Sequence, residues 1–272
     1  MGTSQSSSGS PSGVPMVPPW VSDPVVPGNP DGAGDDGADG GAQQQSPVPI
    51  APSGRFGPAR TSLGSFARHG STDDMRKGVG RYIAKGLGGA QTATRRFGGT
   101  ARTAGALYGV LAAGQLTAPG SPLDPALLQG RSADEIMDAV VEAVRPVDGT
   151  QDTEASRHAI NDALSDVLNR YPDADLLTLT EEQRLFAIER YIALDVFNRF
   201  DLDVGKHLRS NAPGVAAELA RFREVKTYIR ETVAASFRKA RAVAQSIDSR
   251  RISGIVRAAL QETFEVFEGY LS

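Results

Sequence analysis

Few side chains in this sequence are placed to do chemistry, and the clearest reactive group is a backbone amine. Met1 is followed by Gly2. Removal of the initiator leaves a glycine α-amine, whose ordinary pKa of about 7.7–8.0 keeps a useful neutral, nucleophilic fraction at pH 7. Met1-Gly2-Thr3-Ser4-Gln5-Ser6 also fits the myristoylation pattern. The Arg-, Ala- and Gly-rich body that follows is of a bacterial kind, where that lipid is not expected. A Gly2 with no special role is the simplest reading of the residues alone.

Catalytic signatures elsewhere are incomplete. Gly205-Lys206 is followed by His207, where a phosphate-binding P-loop needs Ser or Thr. Gly86-Leu87-Gly88-Gly89 is glycine-rich but follows a helical pattern rather than a strand, which argues against a phosphate cradle. Asp201-Leu202-Asp203-Val204-Gly205 opens like a calcium loop but lacks the third carboxylate and the downstream Glu, and is read as a helix terminus. His69, His158 and His207 lie far apart with no second ligand at helical spacing. Glu181, Glu182 and Glu189 are accounted for as helix-start and surface charge. The absence of cysteine excludes disulfides, thiolate metal sites and a cysteine nucleophile. No catalytic residue, metal or cofactor is expected, and the chain is not expected to be an enzyme.

Charge is strongly segregated along the 272 residues, although the formal net charge is only −3. Residues 1–54 hold five acids and no base, whereas residues 55–103 hold ten Arg or Lys against Asp73 and Asp74. The basic side chains are Arg55, Arg60, Arg68, Arg76, Lys77, Arg81, Lys85, Arg95, Arg96 and Arg102. Such a segment can attract phosphate backbones by counterion release. It can equally meet the acidic tail, the acidic remainder of the chain or an acidic partner. Arg81, Lys85, Arg95 and Arg96 are the candidate contacts with nucleic acid or an acidic partner. Phe56, Phe66, Tyr82 and Phe97 are interleaved at helical spacing, which suits core packing better than base stacking.

The positioning elements are helical. Residues 1–54 contain ten Pro, ten Gly and nine Ser, a composition that predicts a disordered tail. About 50 residues of coil would give Gly2 a root-mean-square reach of about 40 Å. Within this tail, Val14-Pro15-Met16-Val17-Pro18-Pro19-Trp20 is an apolar island. It is read either as folding back onto a groove of its own body or as a docking motif for another protein.

From residue 55 the spacing is helical. Ser71 or Thr72 is a candidate N-cap, and capping boxes are expected at Ser132–Glu135 and Thr180–Gln183. The apolar periods predict helices over 60–68, 73–85, 90–97, 100–116 and 155–168, and a long helix from Pro213. After a break near Asp248-Ser249 comes a last helix carrying Ile252 to Leu271, these final two pairing as an antiparallel hairpin. Gly105, Gly109 and Ala113 form a small-residue stripe suited to close helix packing. The expected architecture is all-α. A flexible tail over 1–54 precedes a helical domain over 55–272, itself basic and Gly-rich over 55–118 and acidic over 119–272. No signal peptide or membrane span is predicted, and a soluble, cytoplasmic protein is expected.

The order of features resembles the QatB family, the small accessory component of four-gene Qat anti-phage systems of bacteria. The resemblance rests on Met1-Gly2-Thr3-Ser4, on Pro18-Pro19-Trp20, and on Arg55-Phe56 with Ala59-Arg60. It continues through Gly80-Arg81-Tyr82, Lys85-Gly86-Leu87-Gly88-Gly89, Arg95-Arg96 and Ala104-Gly105-Ala106-Leu107-Tyr108. It is strongest over 1–20 and 55–111, weak in the C-terminal helices, and the Asp/Gly run at 31–41 looks like an insertion. The resemblance implies a non-enzymatic defence component encoded with an ATPase, a QueC-like deazaguanine enzyme (QatC) and a TatD-like nuclease. Gly2 would be the residue that the QueC-like enzyme modifies. Thr3, Ser4, Pro18, Pro19, Trp20, Arg55 and Phe56 would contact the partner, with no membrane involved. The alternative is a helical protein that binds nucleic acid through 55–103.

Overall fold

Capping chemistry explains where most helices begin. The computed structural model describes residues 13–17, 49–112, 123, 128, 130–244 and 247–271. The first helix, α1, is Gly57–His69, with a proline in its first turn and left-handed Gly70 closing it. Ser71 accepts the amide of Asp74 at 3.2 Å and starts α2, Thr72–Arg81. A π turn over Tyr82–Gly86 carries α2 onward until Gly88 and Gly89, both at positive φ, break it.

Short α3 (Ala90–Arg96) leads into α4 (Gly98–Ala112). Both expected capping boxes are present, Ser132 with Glu135 opening α5 (Ala133–Val144) and Thr180 with Gln183 opening α7 (Glu181–Phe200). Between them α6 spans Gln151–Arg170. The run at Asp201–Gly205 is not a helix terminus, as the sequence suggested. It is a second π turn that joins α7 to α8 (Lys206–Asn211). The extra residue of a π turn lets the helical chain continue while turning Asp203 and Val204 toward the body.

Helices α9 (Val215–Ala242) and α10 (Ser249–Gly269) form the expected antiparallel hairpin. Lys239 pairs with Glu262 at 2.7 Å near one end, and Tyr228 packs on Phe267 and Tyr270 near the other. Among the described residues there is no strand beyond a single β-bridge, Pro15 with Ile50, so the chain is all-α. No helix is long and apolar enough to cross a membrane among the described residues.

Helix α7 runs through the middle, packed by α4, α6 and α9, and is buried all round from Tyr191 to Phe197. Helix α10 covers α2, α3 and α4. Its close approach to α2 depends on Gly80, where a Cβ would stand 2.6 Å from the Phe267 carbonyl oxygen. Gly80→Ala should therefore force the two backbones apart and cost about 1–3 kcal/mol. Gly254→Ala, with nothing near its would-be Cβ on the exposed side of α10, should stabilise by about 0.5–1 kcal/mol. Opposite shifts in urea midpoint at constant m would bear this out.

Candidate functional site

The basic segment is where the N-terminal chain returns to the body. Residues 13–17 pair in antiparallel fashion with 49–51 through three backbone bonds. These run from the Gly13 amide to the Ala51 carbonyl, from the Ala51 amide to the Val14 carbonyl and from the Met16 amide to the Pro49 carbonyl, at 2.8–2.9 Å. Met16, Val17 and Ala51 are each buried to about 3% exposure or less. Of the apolar island, Val14–Val17 thus lie on the chain's own body. Pro18, Pro19 and Trp20, like Gly2, Thr3 and Ser4, lie outside the described residues.

Glycines make room for this seat. A Cβ on Gly88 would come 2.6 Å from the Met16 sulfur, and one on Gly86 would come 2.5 Å from the Phe56 ring. The glycine run that looked like a failed phosphate cradle is a packing surface for Met16 and Phe56. Phe56 stacks on Tyr82 with centroids 5.7 Å apart, and Tyr82 meets Phe200 edge-on at 5.2 Å. These aromatics are core residues rather than exposed platforms.

Polar groups surround the stack. The Tyr82 hydroxyl donates to Asp203 Oδ2 at 3.0 Å, joining the two π turns. Arg60 donates to the Asp203 carbonyl at 3.2 Å, and Arg96 donates to the Met16 carbonyl at 3.3 Å. Arg55 lies over the Phe56 face, its Cζ 4.8 Å from the centroid. Full burial, reinforced by Asp203, pushes the Tyr82 phenol well above its usual range, so it stays a neutral donor. Burial lowers the Arg55 pKa, and Arg96 adds to the effect.

Of the candidate contacts named from sequence, Arg55, Phe56 and Arg96 come together here. Arg81 turns instead to the Ser62 hydroxyl at 2.6 Å, Arg95 is half-buried and Lys85 is exposed. Among the described residues, no group of three or more His, Cys, Asp or Glu could hold a metal ion.

A second polar cluster lies deeper, and sequence reasoning passed over it. Asp195 is fully buried, accepting from the Thr100 hydroxyl at 2.5 Å and from Arg199 Nε at 3.2 Å. Arg199 also reaches Asp152 at 3.3 Å and lies over Phe97. Burial opposes the Arg199 charge, but Asp195 and Asp152 more than offset it and raise its pKa. The signal that could have revealed the pair was an acid and a base four residues apart within the apolar stretch of α7.

The geometry defines an all-helical scaffold that holds an extended N-terminal segment in a basic, aromatic seat. The chain belongs to the QatB family: a model of that family, described as Qat anti-phage system associated protein QatB, matches residues 88–267. It is therefore a component of Qat anti-phage defence. The match covers the helical body from the glycine run through most of α10, including the C-terminal helices where the sequence resemblance looked weak. No curated protein and no solved structure matches the chain.

Two measurements follow. Asp195→Asn removes the buried one of the two counter-charges of the Arg199 guanidinium and should cost about 3 kcal/mol, read as a lower urea midpoint. His207 sits beside Arg60 and Arg68, and burial first, then those charges, lower its pKa from 6.5. Below about pH 6.5 the unfolded chain takes up a proton that the folded chain resists, so stability falls as the pH drops. His207→Gln should remove that part of the decline between pH 7 and pH 5, measured by thermal unfolding.

Proposed function

We propose that this protein is a non-enzymatic adaptor of the Qat system whose N-terminal glycine, Gly2, accepts a group from the QueC-like enzyme QatC. The observation that carries this reading is the anchoring of the chain at residues 13–17 on its own basic seat. It divides the N-terminal region into a short leader ahead of a fixed point. Ten residues, Thr3 to Ser12, separate Gly2 from Gly13. Fully extended, that leader spans at most about 38 Å at about 3.5 Å per residue. The α-amine would be presented from a defined place on the body rather than from the end of a 50-residue coil.

The chemistry asked of the leader is modest. Acylation needs a neutral amine, and small Thr3 and Ser4 would follow Gly2 into a narrow site. The body, with the seat beside it, would supply the surface that the QueC-like enzyme recognises. The ATPase and the TatD-like nuclease of the same system are the further partners in this reading.

Direct nucleic-acid binding by 55–103 is the weaker reading. Arg55, Arg60, Arg81 and Arg96 are engaged in internal contacts or buried, Lys77 and Arg95 are half-buried, and of the exposed Arg68, Arg76, Lys85 and Arg102 the first holds Asn211 and the second lies over Tyr270. They do not form one continuous stripe along a single helix.

Intact mass and N-terminal peptide mapping of the chain, expressed alone and with its genomic neighbours, test the proposal. The expected result is a mass gain on the Gly2 peptide that appears only with the QueC-like enzyme. Removal of residues 1–20 should abolish co-purification with that enzyme. An unmodified glycine in both samples overturns the acceptor role.

A further inference from the structure

Folding redistributes charge in a way that chain order conceals. The part after residue 118 is acidic in sum, yet several of its cations gather on one side of the body. Arg190 of α7 lies within charge range of Arg230 on α9 and Arg170 at the end of α6. Arg238 and Arg241 join Arg190 and Arg230 around Glu189. Lys226 continues the row over the Phe197 ring, 5.7 Å from its centroid. Exposed acids of the same part crowd elsewhere, at Asp134, Asp138 and Glu142 of α5 and at Asp148 and Glu154 beside the start of α6.

The carboxylates among these cations are spoken for. Asp166 pairs with Arg190 at 3.4 Å, Glu189 pairs with Arg238 at 3.4 Å, and Glu182 takes the Tyr171 hydroxyl. The Glu189 side chain is 14% exposed and that of Arg238 58%, so the cation and not the acid meets solvent. Arg230 and Arg241 bear on Glu189 but form no ion pair within 4.0 Å among the described residues. Glu231, although exposed, borders the cleft between α2 and α9 with Thr227 and Tyr228. From Lys226 to Arg241 the row runs about 22 Å along α9.

Composition separates two kinds of partner. Protein interfaces centre on desolvated apolar and aromatic anchors, whereas nucleic-acid interfaces are polar and strongly positive. Residues 151–200 and 220–242 hold no exposed large apolar side chain. All the cations of the row except Lys226 are guanidinium groups, which match phosphate oxygens in pairs. We infer that this row on α6, α7 and α9 is a docking face for the sugar–phosphate backbone of a nucleic acid, gripped by charge rather than by base sequence. A duplex carries one negative charge per about 1.7 Å of axis, so a stretch as long as the row offers more phosphates than it has cations. The face lies apart from 55–103 and stands whether or not Gly2 is an acceptor. The acids of 23–39 and Asp124 lie outside the described residues, and an acidic stretch of the same chain is the rival occupant.

The test is fluorescence anisotropy of a labelled DNA duplex of about 20 base pairs, titrated with the full chain at several chloride concentrations. Contact with about four phosphates should weaken binding about 150-fold between about 50 and 200 mM salt. Arg230→Gln with Arg241→Gln should cut affinity about tenfold and lower the slope of log affinity against log salt by about 2. Arg230→Lys with Arg241→Lys keeps the charge and should keep most of the binding, and thermal unfolding checks that both variants fold. Should the glutamine pair not fold, Arg170→Gln, at the exposed end of α6, should lower the slope by about 1. Tighter binding of an RNA duplex names RNA as the source of the backbone and tighter DNA names DNA, and either supports the face. Lys85→Gln with Arg102→Gln, at exposed cations of 55–103, should change nothing. Loss of binding in that pair with none in the α9 variants overturns the inference, as does a wild type that binds neither duplex. If Asn at Asp31, Asp35, Asp36 and Asp39 is needed before DNA binds, the chain's own acidic stretch holds the face and the inference falls as well.

Discussion

The arrangement of helices depends on one carboxylate taken wholly out of water. Asp195 sits where α7 is buried on every side, and it survives there because α4 and α7 supply its partners. Thr100 brings α4 to a fixed register against α7, and Arg199 extends the network to Asp152 at the start of α6. A purely apolar contact between these helices would tolerate sliding. Sliding would break the two bonds that Asp195 Oδ2 accepts, in an interior where its Oδ1 already has no partner among the described residues. Phe97, beneath Arg199, then fixes the junction of α3 and α4, and through Phe264 the position of α10. The N-terminal seat is built on that frame, since Phe200 at the end of α7 meets Tyr82.

Much of this was legible in the amino-acid sequence, and the reasons differ by element. Helix starts were readable because Ser132, Glu135, Thr180 and Gln183 satisfy backbone amides locally, so four residues determine the outcome. The α9–α10 pairing followed from long apolar periods separated by a short break. The π turns were not readable. Nothing in Tyr82–Gly86 or Asp201–Gly205 encodes an extra residue per turn, and the hydrogen bond that joins the two turns, Tyr82 to Asp203, spans 121 positions of chain. For the same reason the Asp/Leu/Asp run read as a terminus when it is a joint. The seat was half legible: the apolar island and the basic segment each stood out, but their meeting required the glycine run to be recognised as a surface.

The motifs that carry the resemblance to the QatB family acquire a common meaning in three dimensions. Arg55-Phe56, Tyr82, Gly86, Gly88 and Arg96 are scattered over some forty positions; Gly88 and Arg96 meet Met16 directly, and Phe56, with Arg55 over its face, stacks on Tyr82 and packs against Gly86. None bears the marks of a reacting group. Each either removes bulk, stacks, or aims a donor at backbone. A surface of that composition is suited to holding an extended chain in place.

Pairing Met16 with Pro49 has a topological result for the 31 residues between Val17 and Pro49. Both ends of that connection are tied to the same spot, so it is a closed ring of chain rather than part of a free tail. The entropy of closing such a ring grows only with the logarithm of its length, about 0.6 kcal/mol per doubling. The number of residues in the ring therefore enters the folding free energy only weakly.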